Sequence, residues 1–164
     1  MRPYLDKAAP AVWSAAQKYS AAVTGFAAAQ GIDHTEAELM KVRASQLNGC
    51  AFCLDLHSRD ARKYGVPQQK LDVLGGWREA DIYTERECAV LSIAEAATRL
   101  PLTEDAVADL EAARNVLGED AFAAAEWIAV TINTFNRISI HSAAAKASRP
   151  EAHTSELQLR LHLV

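Results

Sequence analysis

The sequence predicts an all-α protein on three observations. Alanine is abundant, while glycine and proline number only 7 and 5 in 164 residues, which favours helices over many short strands. Apolar residues recur at helical spacing along most of the chain. Half of the residues are apolar and 23% are charged, as in a globular domain of this length. We therefore expect a single helical domain of about six helices over residues 1–148, followed by a C-terminal tail at 149–164.

The first predicted helix runs from about Pro10 to Gln30. Trp13, Tyr19 and Val23 recur on one side of it, and Gly31 ends it. Most side chains in this segment are small and apolar, as in a signal peptide, but polar residues interrupt it. We therefore interpret it as an amphipathic helix.

The second predicted helix starts near Asp33 or Thr35 and ends at the turn indicated by Asn48-Gly49. A third begins at about Cys50 and continues to Tyr64, where glycine and proline follow. The turn places Cys50 and its neighbours at the start of this third helix.

The second half of the chain predicts further helices. Thr84 and Glu87 fit a capping box that opens a helix ending near Thr98. The other predicted helices are a short one at Gln68–Leu74 and two long ones at Glu104–Leu117 and Asp120–Ala145. Leucine alternates with polar residues at 157–163, a strand pattern without a predicted partner. We expect this tail either to dock on a neighbouring subunit or to be disordered.

The net charge of −4 and the absence of a lysine or arginine run argue against a nucleic-acid-binding protein. No stretch reaches the roughly 18 uninterrupted apolar residues that a membrane span needs. We expect a cytoplasmic protein with neither nucleic acid nor a membrane among its partners. No glycine-rich phosphate loop is present, so we predict no nucleotide and no other cofactor.

The sharpest motif is Cys-Ala-Phe-Cys-Leu-Asp-Leu-His at residues 50–57. In a helix, Cys50, Cys53 and His57 share one face. Free N–H groups in the first turn and the helix dipole favour a thiolate, the species that attacks peroxides and disulfides. The second thiol could resolve an oxidised intermediate, and the imidazole could move protons near neutral pH.

Three other interpretations of the motif compete. A zinc site formed by Cys50, Cys53 and His57 lacks a fourth ligand, for which Cys88 is the only remote cysteine. Plain packing is a second alternative, because buried cysteine behaves as a small hydrophobe. A thioredoxin fold would need strands that alternate with helices, whereas the flanks here predict helices.

Glu38 lies one predicted helix earlier and can point at the thiols. A buried carboxylate beside them can relay protons, with its pKa raised by desolvation. A competing interpretation is a capping box formed by Thr35 and Glu38, for which Asp33 and Glu36 offer a rival placement.

The run from Glu38 to His57 resembles the alkyl hydroperoxidase D (AhpD) branch of the carboxymuconolactone decarboxylase superfamily, which spaces a glutamate, two cysteines and a histidine in this way. The resemblance extends over roughly residues 10–145. Its further landmarks are Gly65-Val66, Trp77, and the stretches 83–87 and 133–138.

This resemblance implies an all-α fold assembled into trimers or hexamers, and the reduction of a hydroperoxide. Cys53 would attack the peroxide and become a sulfenic acid. Cys50 would donate a proton and then close a Cys50–Cys53 disulfide, while Glu38 and His57 relay protons. An external dithiol, a lipoyl group or a thioredoxin-like protein, would restore the thiols.

Phe52 departs from the family pattern, in which a relay histidine precedes the second cysteine. Because a phenyl ring carries no proton, we expect weaker activity or another oxidant. Two further functions stay open: a decarboxylase like the namesake branch, which does not depend on a cysteine pair, and a non-catalytic oligomeric scaffold. In a scaffold, Cys53 would titrate as an ordinary thiol near ~8.5.

Several other residues are predicted to be structural. Cys88 is expected in the core, and Trp77 and Trp127 in the core or at an interface. Asn133, Asn136 and Arg137 are expected to be satisfied buried polar groups or subunit contacts.

Overall fold

A computed structural model of the chain describes residues 3–142, and these confirm the all-α prediction. The described residues form eight α-helices and one 3-10 helix. In chain order they are α1 (Leu5–Ala8), α2 (Pro10–Ala29), α3 (His34–Asn48), α4 (Ala51–Lys63), α5 (Gln68–Asp72), the 3-10 helix (Leu74–Glu79), α6 (Glu85–Thr98), α7 (Glu104–Leu117) and α8 (Glu119–His141). The predicted end of the last helix at Ala145, and the tail at 149–164, lie outside the described residues.

The six longer helices, α2, α3, α4, α6, α7 and α8, match the predicted ones. α1 and α5 are single turns of four and five residues. The sequence does not predict α1, because one turn is too short to show a period. Leu74, the predicted end of a short helix, instead opens the 3-10 helix.

Two capping boxes fix the starts of α3 and α6. Asp33 accepts a hydrogen bond from the backbone N–H of Glu36, whose side chain returns to the backbone of Asp33. Thr84 and Glu87 form the same arrangement at α6, as predicted. The rival box at Thr35 is not formed, so Glu38 is left free for another role.

The turn between α3 and α4 depends on Gly49. This glycine caps α3 in the left-handed region, with φ 66° and ψ 28°. A residue with a Cβ adopts this conformation only at a cost. The reversal lets α4 begin two residues later and pack back against α3.

The core lies where α3, α6 and α8 meet, with α2 covering α8 and α7 covering α6. α8 contributes Ala124, Ala125 and Ala129, each without exposed surface, whose small side chains allow close helix approach. Met40 from α3 and Ile93 from α6 fill the space between them.

A buried ion pair crosses this core. Arg43 of α3 donates from Nε to Glu95 Oε1 of α6 at 2.7 Å, and both residues are less than 8% exposed. Trp77 donates from its indole nitrogen to the same oxygen at 3.1 Å. Trp77 therefore lies in the core, as predicted, whereas Trp127 is 49% exposed. Cys88 is half-buried against the cluster that contains Trp77.

The first long helix, α2, carries one charged side chain, Lys18, in 20 residues. Its outer face exposes Val12 and Phe26. Nonetheless, over residues 3–142 no helix combines the length and the apolar character needed to cross a membrane.

Candidate active site

The two cysteines of the motif lie at the start of α4, as predicted. Cys50 is the N-cap residue, and its Sγ accepts a hydrogen bond from the backbone N–H of Cys53 at 3.4 Å. Both side chains are free thiols and are 2% and 3% exposed. The helix cap thus consists of a sulfur atom where serine or aspartate is more usual.

The two thiols differ in pKa, which is lowered for Cys50 and raised for Cys53. The hydrogen bond from the Cys53 side chain outweighs burial and lowers the pKa of Cys50 to about 7, with smaller contributions from the Cys53 backbone, the Ser139 side chain and the Phe52 backbone. The same hydrogen bond, together with burial and the charge on Cys50, raises the pKa of Cys53 far above that of a free thiol. Of the two, Cys50 is therefore the thiol that ionises more readily, and Cys53 is the one that keeps its proton.

Glu38 and His57 form a second pair, joined across α3 and α4. Glu38 Oε2 lies 2.9 Å from His57 Nδ1, and its other carboxylate oxygen accepts from Lys41 Nζ at 2.9 Å. Burial alone would raise the pKa of Glu38, but the charges of His57 and Lys41 and their hydrogen bonds lower it to about 2.

The expectation of a raised pKa for Glu38 is therefore wrong. Desolvation is present, since Glu38 is 4% exposed, but the hydrogen bonds and charge interactions with His57 and Lys41 outweigh its effect on the pKa. Glu38 is a fixed anion that orients the ring of His57, and it binds no proton near neutral pH. The sequence offered a signal for this, because Lys41 lies one turn after Glu38.

Two cavities lie next to His57. A narrow cavity of about 50 Å³ is lined by Cys53, His57 and Ser139, among others. A wider one of about 290 Å³ extends from Glu38 and His57 along α2. The two have Ser20, Thr24, Lys41, His57 and Thr131 in common. We call these adjoining cavities the passage, whose smaller, narrow part lies at Cys53 and whose larger, wide part lies along α2.

Phe52 is buried in an apolar cluster with both thiols, Leu56 and Ile132. Its side chain is 3% exposed. As expected from the sequence, this position supplies no proton acceptor. His57 is the imidazole that lines the cavity next to Cys53.

Amide side chains hold the cysteine turn against α8. Asn48 Nδ2 donates to the Oδ1 atoms of Asn133 and Asn136, at 2.8 Å each. Asn136 Nδ2 donates in turn to Ser45 Oγ at 3.1 Å. Asn133 and Asn136 are thus satisfied buried polar groups, as predicted.

The structure adds one residue that the sequence did not single out. Ser139 of α8 places its Oγ 3.5 Å from Cys53 Sγ and is 5% exposed. The two residues are 86 positions apart. One signal was present, since Ser139 follows Asn136 by one helical turn, but only the fold shows which group it meets.

The thiols are not arranged as a zinc site with His57. In the described part of the chain, one trio of His, Cys, Asp or Glu residues brings its ligand atoms within 4.8 Å of one another, and it consists of Glu38, His57 and Asp60. Glu38 in that trio is already neutralised by Lys41 and His57. The zinc alternative built on the cysteines thus has no support in this arrangement.

Comparisons with known proteins identify the family of the chain. A sequence model of the Carboxymuconolactone decarboxylase family matches residues 10–96. The uncharacterized protein YdfG of Bacillus subtilis is 38% identical over 118 residues, which cover 72% of this chain and 80% of that protein. The alkyl hydroperoxide reductase AhpD of Hyphomonas neptunium is 37% identical over 41 residues, 25% of this chain and 23% of that one.

One solved structure extends the likeness to the fold. It is a protein of unknown function from Agrobacterium tumefaciens, provisionally described as the antioxidant defence protein AhpD. It superposes with a TM-score of 0.76 at 30% identity, over 91% of this chain and 99% of that one.

Proposed function

The chain belongs to the carboxymuconolactone decarboxylase family, and from that premise we propose that it is a thiol-dependent hydroperoxide reductase of the AhpD type. The observation that carries this proposal is the pair of buried free thiols at the start of α4, where Cys50 Sγ accepts the N–H of Cys53 and Cys53 lines the narrow cavity beside His57. One thiol is prepared to take a proton, and the other to become the nucleophile.

The first step moves a proton. The Cys53 thiol, already hydrogen-bonded to Cys50, transfers its proton to the Cys50 sulfur. Cys53 Sγ then attacks the terminal oxygen of a hydroperoxide in the cavity. An S–O bond forms and the O–O bond breaks. The sulfur is oxidised to a sulfenic acid, the peroxide is reduced, and the departing alkoxide takes the proton from Cys50.

The second step closes the disulfide. Cys50, again a thiolate, attacks Cys53 Sγ, an S–S bond forms, and hydroxide leaves. The hydroxide takes a proton from solvent through His57, which lines the same cavity and is held by Glu38. A thiol, a thiolate, a hydroperoxide and one proton thus become a disulfide, an alcohol and water. An external dithiol, a lipoyl group or a thioredoxin-like protein, supplies the two electrons that reopen the disulfide.

The dimensions of the passage support an organic hydroperoxide as the substrate. The wide part offers about 290 Å³, far more than hydrogen peroxide fills, and combines Val23, Ala27 and Ile128 with polar groups of α3 and α4. An apolar body would lie along α2, while the peroxide group reaches Cys53.

The test is hydroperoxide consumption by the pre-reduced protein, with mass spectrometry of the peptide that contains both cysteines. We expect turnover together with loss of two hydrogens from that peptide. Cys53→Ser abolishes both, and Cys50→Ser stops at a trappable sulfenic acid. Cys88→Ser, on α6, is the matched control and retains activity. Cysteines that stay reduced in excess cumene hydroperoxide overturn the proposal.

A further inference from the structure

We propose that Ser139 is a further catalytic residue of this site, which donates a hydrogen bond to the sulfur of Cys53 while that sulfur is a thiolate. The inference rests on the proposed function, because it concerns the nucleophile of that reaction. Ser139 belongs to α8 and lies outside the cysteine motif at residues 50–57.

The first support is position. Ser139 Oγ lies 3.5 Å from Cys53 Sγ, a hydrogen-bond distance for sulfur, and both residues line the narrow end of the passage. Ser139 is 5% exposed and Cys53 is 3% exposed, so bulk water does not compete for this contact. The hydroxyl therefore touches the reacting atom where the peroxide oxygen arrives.

The second support is the environment of Cys53. Its apolar neighbours, Phe52, Leu56 and Ile132, cannot stabilise a negative charge. A buried thiolate without donors is costly. When the proton of Cys53 moves to Cys50, Cys53 has no hydrogen left to give, and the Ser139 hydroxyl becomes a donor to it beside the Cys50 S–H.

Asn136 reinforces this arrangement. Its carboxamide is fully buried and is fixed by Asn48 on one side and Ser45 on the other. Ser139 and Asn136 are the two side chains whose hydrogen bonds lower the pKa of Cys53, against the larger opposing effects of Cys50 and burial. Both come from one face of α8, one helical turn apart.

In the reaction, Ser139 gives up neither a proton nor an electron. It holds a hydrogen bond to Cys53 Sγ as the S–O bond forms and the O–O bond breaks. Because Phe52 carries no polar group, Ser139 contributes electrostatic stabilisation beside Cys53 that Phe52 does not.

The test compares Cys50→Ser with Cys50→Ser/Ser139→Ala, so that Cys53 titrates without its thiol partner. Iodoacetamide labelling of Cys53 is followed against pH by mass spectrometry, with Cys88 as the internal reference. We expect the midpoint for Cys53 to rise by about one pH unit and labelling at neutral pH to slow about tenfold. Ser139→Thr, which keeps a hydroxyl, restores most of the rate.

A matched control lies on the same helix. Thr134 is exposed and its hydroxyl bonds to the backbone carbonyl of Val130, so Thr134→Ala leaves both midpoint and rate unchanged. Far-UV circular dichroism and thermal melting establish that Ser139→Ala folds. If it misfolds, Ser139→Val is compared with Ser139→Thr, because these two side chains have the same shape and differ in the hydroxyl alone.

The labelling experiment separates this inference from the proposed function, because it needs no peroxide. A wild-type protein that does not reduce hydroperoxides contradicts the proposed function, whatever effect Ser139→Ala has on the labelling of Cys53. A wild-type protein that turns over, with an unchanged Cys53 midpoint in the Ser139→Ala background, overturns the role of Ser139 alone. Slower turnover without a change in the pH profile also counts against it.

Discussion

At the scale of single residues, Glu38 and Cys50 are both buried acids, and specific partners lower the pKa of each. Glu38 has Lys41 and His57, and Cys50 has the thiol and backbone N–H of Cys53. In each case hydrogen bonds and opposite charge overcome desolvation. The acidity of this site therefore depends on a few contacts that single substitutions can remove.

The pKa of Glu38 makes the stability of the protein depend on pH. The folded value of about 2 lies below the ordinary 4.5, so this stabilisation is complete above pH ~5 and is lost as the pH falls toward 2. The difference corresponds to about 3 kcal/mol at about 1.4 kcal/mol per pKa unit. We expect Glu38→Gln to flatten the acid side of the unfolding free energy measured in urea.

Glu111→Gln, on the exposed side of α7, is the control and keeps the wild-type acid slope. An unchanged slope in Glu38→Gln would show that the Lys41 and His57 contacts do not ionise Glu38 more readily in the folded state.

The pKa of Cys50 predicts how its reactivity varies with pH. With a pKa of about 7, its labelling rate should rise between pH 6 and 8, because the thiolate is the reactive species. Cys53→Ala removes the first contributor to this low value, so the midpoint should move up toward the ordinary 9.0. Site-resolved iodoacetamide labelling measures both, and equal midpoints in the two proteins would contradict the contact.

At the scale of secondary-structure elements, the end of α3 and the start of α4 determine where the two cysteines lie. Gly49 reverses the chain, Cys50 caps the new helix, and Asn48 ties the turn to α8. A short segment thus places both sulfurs beside a helix that is distant in sequence.

Gly49→Ala should lower the free energy of unfolding by about 1 kcal/mol. A Cβ at this position meets no atom within 4 Å, so the cost comes from the positive φ of 66° alone. Gly25→Ala, inside α2 and equally unobstructed, should instead stabilise by about 0.5 to 1 kcal/mol. Chemical denaturation of the two variants measures both changes in the free energy of unfolding. Changes of the same sign would contradict the left-handed turn assigned to Gly49.

Much of this organisation could be predicted from the sequence, where the signals are local. The turn at Asn48-Gly49 and the box at Thr84 depend on neighbouring residues, and both are confirmed. The sequence did not decide whether Asp33 or Thr35 forms the capping box of α3, because both residues fit the pattern. The hydrogen bonds in the structure show that it is Asp33. Ser139 and the partners of Glu38 could not be derived, because sequence spacing does not say which helix faces meet.

At the scale of the whole molecule, Glu95 joins the parts that surround the core. Its carboxylate accepts hydrogen bonds from Arg43 of α3 and from Trp77 and Arg78 of the 3-10 helix. It also forms an ion pair with Arg99, four residues later in the chain. Burial raises the pKa of Glu95, but the hydrogen bonds of Arg43 and Trp77 and the nearby arginine charges lower it overall. The carboxylate thus stays charged inside the fold.

Glu95→Ala should destabilise the protein by about 3 to 5 kcal/mol, because it leaves Arg43 buried without its partner. The double variant Arg43→Met/Glu95→Leu should recover most of this loss. The exposed pair of Arg114 and Glu119 is the control, and Glu119→Ala should change the unfolding free energy by less than about 1 kcal/mol. Additive losses in the double variant would exclude the coupling.

The sulfur cap of α4 links folding to redox chemistry in one thermodynamic cycle. As a thiolate, Cys50 Sγ accepts the N–H of Cys53, and in the proposed cycle the same sulfur becomes half of a disulfide. Whatever strengthens the cap in the reduced protein must make the disulfide more strongly oxidising by the same free energy. A dithiol that opens the bond returns this sulfur to its place as the helix cap, so the hydrogen bond of the cap favours the reduced enzyme.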